Sequence, residues 1–446
     1  MVPLTVWPMV ARLSNADAGF AVAFDQLVNA RREQDSGVEA DVAAIIKDVR
    51  ARGDAAVLDY TRRFDRLEVA AAGGLVISAD EMAAAEAACA PETLAALDQA
   101  AARIEAYHRR QLPTDEDFTD DDGVRLGWRW RPIGAVGVYV PGGRAAYPSS
   151  VLMNIIPARI AGVGRIVMTV PTPDGAVDPL VLAAAKRAGV NEAYRVGGAQ
   201  AVAALAFGTE TIKPVDKITG PGNAYVATAK RQVFGAVGID MVAGPSEILV
   251  VADGANDPDW IAVDLLSQAE HDASAQSILI TDDARFADAV AQAVAARLKT
   301  LPRAEIAGAS WRDFGAIILV ADLMRDAPAL VDALAPEHLE LAVEDPEPLS
   351  AAVNNAGAIF LGRYTPEAVG DYVAGPNHVL PTNRSARFAS GLGVGDFLKR
   401  TSLISCDADA LGRIGPAAVR LAGAEGLDAH GLSVAIRLNL PSGGTD

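Results

Sequence analysis

The sequence predicts an α/β protein with parallel sheets covered on both faces, and three observations carry that reading. Short runs rich in Val, Ile and Ala recur along the chain, Ala-rich stretches of helical period lie between most of them, and the short runs are continuously apolar rather than alternating. Strands that alternate with helices argue for parallel pairing, and an unbroken apolar run fits a strand buried on both sides. The strand runs fall at 135–140, 165–170, 216–219, 248–252, 278–281, 317–320 and 358–362. Helical stretches fall at 179–188, 223–234, 258–270 and 284–298. Two sets of such units allow two related sheet domains.

The rest of the chain reads differently. Segments 38–52 and 91–110 are long helical patterns with little strand between them, and 112–123 is an acidic connector containing Pro113. Beyond Gly375, Pro376, Pro381, Asn383 and several glycines mark an extended loop region, and 407–424 returns to helix.

Composition excludes some partners. The net charge is −18 with no long Lys/Arg cluster, so nucleic acid and anionic membrane, which need a basic face, are poor partners. No stretch approaches the ~18 consecutive apolar residues of a membrane span. Residues 1–20 lack the charged start, apolar run and small-residue cleavage site of a leader. Cys89 and Cys406 are too few and too far apart for a disulfide framework, which makes a reducing cytoplasm the expected setting.

Glycine placement points to a ligand near mid-chain. Pro141-Gly142-Gly143, Gly197-Gly198 and Gly220-Pro221-Gly222-Asn223 each follow a strand run. Bare backbone amides at strand ends and helix N-termini can hold phosphates, whereas the bland reading of any one turn is simply a tight turn. No Gly-x-Gly-x-x-Gly occupies a strand-to-helix junction, so a nucleotide cofactor would be held in another way.

Only five histidines occur. His271 follows Gln268 by three, His338 follows Glu337, His378 follows Gly370-Asp371 closely, and His430 follows Glu425. His108 lies on an Arg-rich helix end and reads as ordinary. Gln268 and His271, three apart in a helical context, share one face. With Asp371 and His430 they would make a mixed N/O set suited to Zn²⁺, although such a pair alone is more often a capped helix end. Glu337-His338 opens the alternation Leu339, Leu341, Val343, so it stands at a strand start. An adjacent acid and imidazole can serve as two bases, and surface Glu-His pairs are also common.

These segments together resemble the histidinol dehydrogenases. The resemblance rests on IDMVAGPSE at 239–247, LLSQAEH at 265–271, VGVYVPGG at 136–143, VGGAQ at 196–200, GPGN at 220–223, APEHLEL at 335–341, GPNHVLPT at 375–382 and 425–430. Asn256 stands where the family signature usually has a small Ala. The resemblance implies NAD-dependent oxidation of L-histidinol through L-histidinaldehyde to L-histidine, the last step of histidine biosynthesis. It implies one zinc per subunit on Gln268, His271, Asp371 and His430, with His338 as principal base and Glu337 activating water. Substrate contacts would come from Ser246, Glu425 and His338 as well as from the metal ligands, and NAD contacts from Tyr139, Gln200 and Asn223. It further implies two incomplete Rossmann-like domains with small terminal extensions: 1–26, then 27–138 with 246–388, then 139–245, then a helical 389–446. The expected assembly is a homodimer in which Glu425 and His430 complete the partner's active site. Other readings of the same residues are an alcohol dehydrogenase acting on another polar alcohol, a zinc hydrolase, which predicts product without NADH, and a non-catalytic metal-binding protein.

Overall fold

The computed structural model describes residues 10–30, 37–142 and 147–440. Gly143, the last residue of one glycine turn, lies outside them. Two six-stranded sheets form the body. The first runs in the order β1 (Ala11–Ser14), β12 (Ala316–Leu319), β11 (Gln276–Thr281), β10 (Glu247–Ala252), β13 (His338–Ala342), β14 (Ala358–Leu361), parallel throughout. The second runs β2 (Val76–Ile77), β7 (Glu192–Tyr194), β6 (Arg165–Thr169), β5 (Ala135–Tyr139), β8 (Lys217–Thr219), β9 (Gly238–Ile239), parallel except for β2.

In each sheet five successive strands repeat one topology. The chain winds outward one way, over β10, β11 and β12 or β5, β6 and β7, then returns to the starting strand and winds the other way. This is a doubly wound dinucleotide fold short of its sixth strand, with a switch point between β10 and β13 and another between β5 and β8.

Burial on both faces explains the apolar strand runs. On one face of the first sheet Ile248, Val250 and Leu279 meet Leu265 and Leu266 of the helix Pro258–Ala269 and Val290 of Ala284–Arg297. On the other, Leu249, Val251 and Ile280 meet Leu330 and Val331 of Leu323–Leu334.

The stretch 38–110, expected to join 246–388, packs on the second sheet: Val42, Ile45 and Val49 share a core with Tyr139 and Val196, and Leu97 and Ile104 share one with Val136 and Leu152. The first sheet's own crossover helices already cover both its faces, so the remaining apolar surface lies on the second sheet. A boundary at 138/139 would also cut β5. Of the segment 1–26, residues Ala11–Ser14 form β1, which pairs with β12.

A third, antiparallel sheet was not foreseen. β15 (Leu398–Ser405) pairs with β4 (Arg125–Pro132) along eight residues, and β3 (Glu116–Thr119) lies on the other side of β4. The acidic connector thus contains a strand, and 389–446 begins with one. Cross-strand pairs support this solvated sheet: Arg125 bridges Asp117, Arg400 lies 5.9 Å from the rings of Trp128 and Trp130, and Phe118 packs edge-on to Trp128. The helices Ala408–Ala424 and Asp428–Ala435 follow, with Val434 and Leu438 packed at Gly415.

Phe397 fastens the third sheet to the body. Its side chain is fully buried in the core of Val136 and Leu152, and its carbonyl accepts a hydrogen bond from Ile133 N at 3.0 Å. Phe397→Ala should therefore cost about 3–5 kcal/mol, read as a lower denaturant midpoint. A midpoint within error of the parent would show that the sheet is not anchored there.

Candidate active site

The predicted Glu337-His338 pair lies at the amino ends of β10 and β13, where parallel register sets Ile248 beside His338. Glu247 N donates to Glu337 Oε2 at 2.9 Å, and Glu337 N donates to Glu247 Oε2 at 3.3 Å. The other Glu247 oxygen accepts from Asn383 N at 2.8 Å. His338 Nδ1 lies 2.9 Å from the Glu247 carbonyl, which can only accept, so Nδ1 carries the proton and the lone pair sits on Nε2. That Nε2 is buried without a hydrogen-bond partner. Burial holds His338 below the usual imidazole range. Glu337 is pushed well above the carboxylate range by burial and by Glu247 beside it.

The proposed metal ligands approach this pair from two directions. Gln268, fully buried, lies on the last turn of Pro258–Ala269. His271 stands past the helix end rather than on it, held by its N–H on the Gln268 carbonyl at 3.2 Å. The two side chains still meet, Gln268 Nε2 to His271 Nδ1 at 2.6 Å, leaving Gln268 Oε1 buried and unpartnered. Asp371 comes from the short helix Glu367–Tyr372. Burial alone would raise its carboxyl, but hydrogen-bonded His378, with His338 and His271 nearby, holds it down at about 2. His338, Glu367 and Asp371 place one ligand atom each within 4.8 Å of one another.

The segment carrying Asp371 and His378 is gripped by helices of the second sheet. Arg103 donates to the Val373 carbonyl and, at 3.1 Å, to that of Ala374. Asn377 Nδ2 donates to Met153 O at 2.6 Å and faces His108 Nε2 at 3.4 Å. Ser150 Oγ lies 3.3 Å from His378 Nε2, whose ring bonds the Asp371 carbonyl through Nδ1 at 3.0 Å. His108 stands on the last turn of the helix Pro91–Arg109. It is fully buried, its Nδ1 bonded to Ile104 O at 2.8 Å, because the 375–379 turn seals that helix face.

The second sheet carries the other predicted cluster at its carboxyl end. Tyr139 closes β5, and its hydroxyl accepts from Gly198 N at 3.1 Å; burial pushes the phenol up to about 12. Gln200 is buried with Oε1 unpartnered. Asn223, exposed, caps the helix Ala224–Val233 through Val226 N at 3.2 Å. Gly220, at φ +111°, lies so close to Tyr139 O that a Cβ would meet it at 2.0 Å. A buried ion pair grips this peptide: Lys230 Nζ donates to Gly220 O at 2.9 Å, and its partner Asp240 accepts from Gly220 N at 2.8 Å.

Within one chain not every predicted residue joins the site. Ser246 is half-buried next to Glu247, and its carbonyl accepts from Gln276 N. Glu425 and His430 are exposed on the C-terminal helical pair. Sequence reasoning missed Glu247, Glu340 and Glu367. Glu340 was the visible signal, a carboxylate inside an apolar strand; burial and Asp264 push it up, and Asp264 itself rises to about 6 through burial.

The chain matches the histidinol dehydrogenase family over residues 28–438. The histidinol dehydrogenase of Rhodospirillum rubrum is 69% identical over 431 residues, 97% of this chain and 99% of the relative. That of Ruegeria pomeroyi is 65% identical over 432 residues, with 97% and 99% covered. The crystal structure of histidinol dehydrogenase from Elizabethkingia anophelis superposes with a TM-score of 0.91 at 36% identity, covering 96% of this chain and 98% of that one. Fold, site and matches define an oxidoreductase of the dehydrogenase class. The chain belongs to the histidinol dehydrogenase family.

Because burial lowers His338, its imidazole stays neutral, and able to accept a proton, below the ordinary histidine value of 6.5. Activity that depends on the neutral form is then held at neutral pH and lost only as pH falls through the lowered value. The acidic limb of kcat/KM should lie below 6.5 and should vanish in the residual activity of His338→Asn. A limb above that value in the parent enzyme would contradict a desolvated base.

Proposed function

We propose that this enzyme oxidises L-histidinol by four electrons, through L-histidinaldehyde, to L-histidine, using NAD and one zinc ion per subunit. One observation carries the proposal: a neutral, buried His338 with its lone pair inward, beside a buried Glu337. The residues fit both groups. Gln268 Oε1 is an orphaned buried acceptor whose amide meets the His271 imidazole, and Asp371 feels that imidazole in turn, a donor set suited to zinc. Gln200 Oε1 is likewise orphaned beside the Gly198 turn, whose N–H bonds the Tyr139 hydroxyl. Zinc on Gln268, His271 and Asp371 would supply chelation of the substrate's imidazole and amine, and NAD held by Tyr139, Gln200 and Asn223 would accept hydride.

The protein's own groups supply the proton chemistry. His338 Nε2 takes the hydroxyl proton as the first hydride leaves carbon, while Nδ1 stays fixed on the Glu247 carbonyl. The aldehyde must next gain water. Glu337, its carboxyl raised by burial, is matched to take a proton from that water, giving a hydrate whose C–H can leave as the second hydride. His338 then removes a hydroxyl proton again. Fixing the substrate between these bases lets one site perform both oxidations. Ser246 borders the pair and serves as a substrate contact.

The proposed assembly is a homodimer in which His430 of the partner subunit completes the metal ligands and Glu425 of the partner subunit contacts substrate. Supporting it, both residues are exposed in the single chain, on a segment that also exposes Ile404 at 73%, Leu421 at 63% and Ile436 at 66%. Histidine biosynthesis in the cytoplasm is the setting that goes with this reaction, and no helix among the described residues is long and apolar enough to cross a membrane.

Incubation of metal-replete enzyme with histidinol and NAD⁺ should yield two NADH per histidine; no NADH at all would sink the reading. Glu337→Gln should slow histidinaldehyde oxidation more than histidinol oxidation, whereas His338→Asn should slow both by about 10²–10⁴-fold. Equal losses in the two steps for Glu337→Gln would contradict the division of roles.

Subunit mixing tests the shared site. Asp371→Ala and His430→Asn, each inactive alone, should recover about a quarter of all sites when co-expressed, because a mixed dimer has one doubly defective and one intact site. Mixed dimers without recovered activity would place His430 in its own chain's site.

A further inference from the structure

We propose that His338 and Glu367, sharing Asp371, form a second divalent-cation site whose occupation inhibits the enzyme. The inference rests on the catalytic-metal reading above and adds a position outside the Gln268–His271 pair. His338 Nε2 and Glu367 Oε1 are both buried, both lack a hydrogen-bond partner, and face each other at 3.7 Å. The remaining atoms of both residues are already committed. His338 Nδ1 is tied to the Glu247 carbonyl at 2.9 Å, and Glu367 Oε2 accepts from Ser267 Oγ at 3.2 Å. A ring nitrogen fixed through its other nitrogen to a carbonyl is how proteins orient a metal-binding histidine.

Geometry and charge agree. A tetrahedral zinc with ligands at ~2.1 Å sets its ligand atoms roughly 3.4 Å apart, so the 3.7 Å pair needs a shift of only tenths of an ångström. Asp371 supplies the third atom, within 4.8 Å of the other two. Asp264, Glu340 and Asp371 all act on Glu367, and Asp371 on His338. Glu367 and Asp371 answer that crowding by sharing a proton in a side-chain hydrogen bond, and a cation held between them and His338 would take that proton's place. Asp371 has two oxygens and can bridge two ions, as carboxylates do in sites with metals about 3.5–4 Å apart.

The consequence is specific. A cation on Nε2 occupies the lone pair that His338 needs to accept a proton, so the second ion blocks turnover while the first remains bound.

The test begins with enzyme carrying one equivalent of zinc, followed by titration with further Zn²⁺ under equilibrium dialysis, with bound metal and histidinol oxidation measured on the same samples. A second, weaker equivalent should bind as the rate falls. Glu367→Gln should bind the first equivalent, hold the second at least about ten-fold more weakly, and show the same shift in inhibition relative to its own uninhibited rate. His271→Asn should lose the first equivalent and keep the second. Parent enzyme inhibited by zinc with only one equivalent bound overturns the second site, as does Glu367→Gln that binds two as tightly as the parent. Neither result touches the catalytic metal, which fails instead if enzyme stripped of all metal keeps full activity before any excess is added.

Discussion

Reciprocal pairing of Glu247 with Glu337 is the constraint on which the active site depends. Each carboxylate accepts the other's backbone N–H, at 2.9 and 3.3 Å, so two buried acids lock the starts of β10 and β13 in register. That register places the Glu247 carbonyl against His338 Nδ1 and fixes which nitrogen carries the proton. Two like charges in so small a buried volume are costly unless one is protonated or a cation is near, and burial with Glu247 alongside pushes Glu337 toward its protonated form.

The two sheets share one topology but use opposite ends of it. The second sheet follows the general rule for open α/β sheets, with Tyr139, Gly198 and Gly220 at the carboxyl ends beside the switch point. The first sheet's chemistry lies at the amino ends, where Glu247 and His338 begin their strands. Residues 371–378 bridge the difference: they carry Asp371 to the first sheet's site while Arg103, His108, Met153 and Ser150 of the second sheet's helices hold them. Neither unit contains the whole of the proposed site, so exchanging one sheet for another would disturb the proposed metal ligands as well as the proposed cofactor end.

Much of this was legible in the sequence where a pattern had one physical meaning. The run 248–252 could only be a strand buried on both sides, and 179–188 matched its helix at both ends because Asp178 caps it and Gly189 ends it. Glu337-His338 at a strand start and the pairing of Gln268 with His271 followed from local spacing. The third sheet was hidden because its strands are solvated: Arg125–Pro132 carries an apolar–charged alternation without a core face, and β15 is exposed along nearly its whole length. The attachment of 38–110 was hidden for another reason, since helical periodicity shows that a face is apolar and not which sheet will cover it. The burial of His108 was hidden because its cover, Asn377, lies 269 residues away.

The insertion of the whole second unit between β1 and β10 has a cost during synthesis. Ala11 pairs with Ala316, so β1 leaves the ribosome first and meets its neighbour only after roughly 300 further residues, about 15–60 s at ordinary elongation rates. Until then it is an unpaired strand beside a growing chain, open to wrong partners. Its brevity, four residues, and the charge of Arg12 at its centre are the features that keep such a strand from pairing with another copy. Translation speed and chaperone supply therefore bear most heavily on this edge of the first sheet, whose strand waits longest for its neighbour.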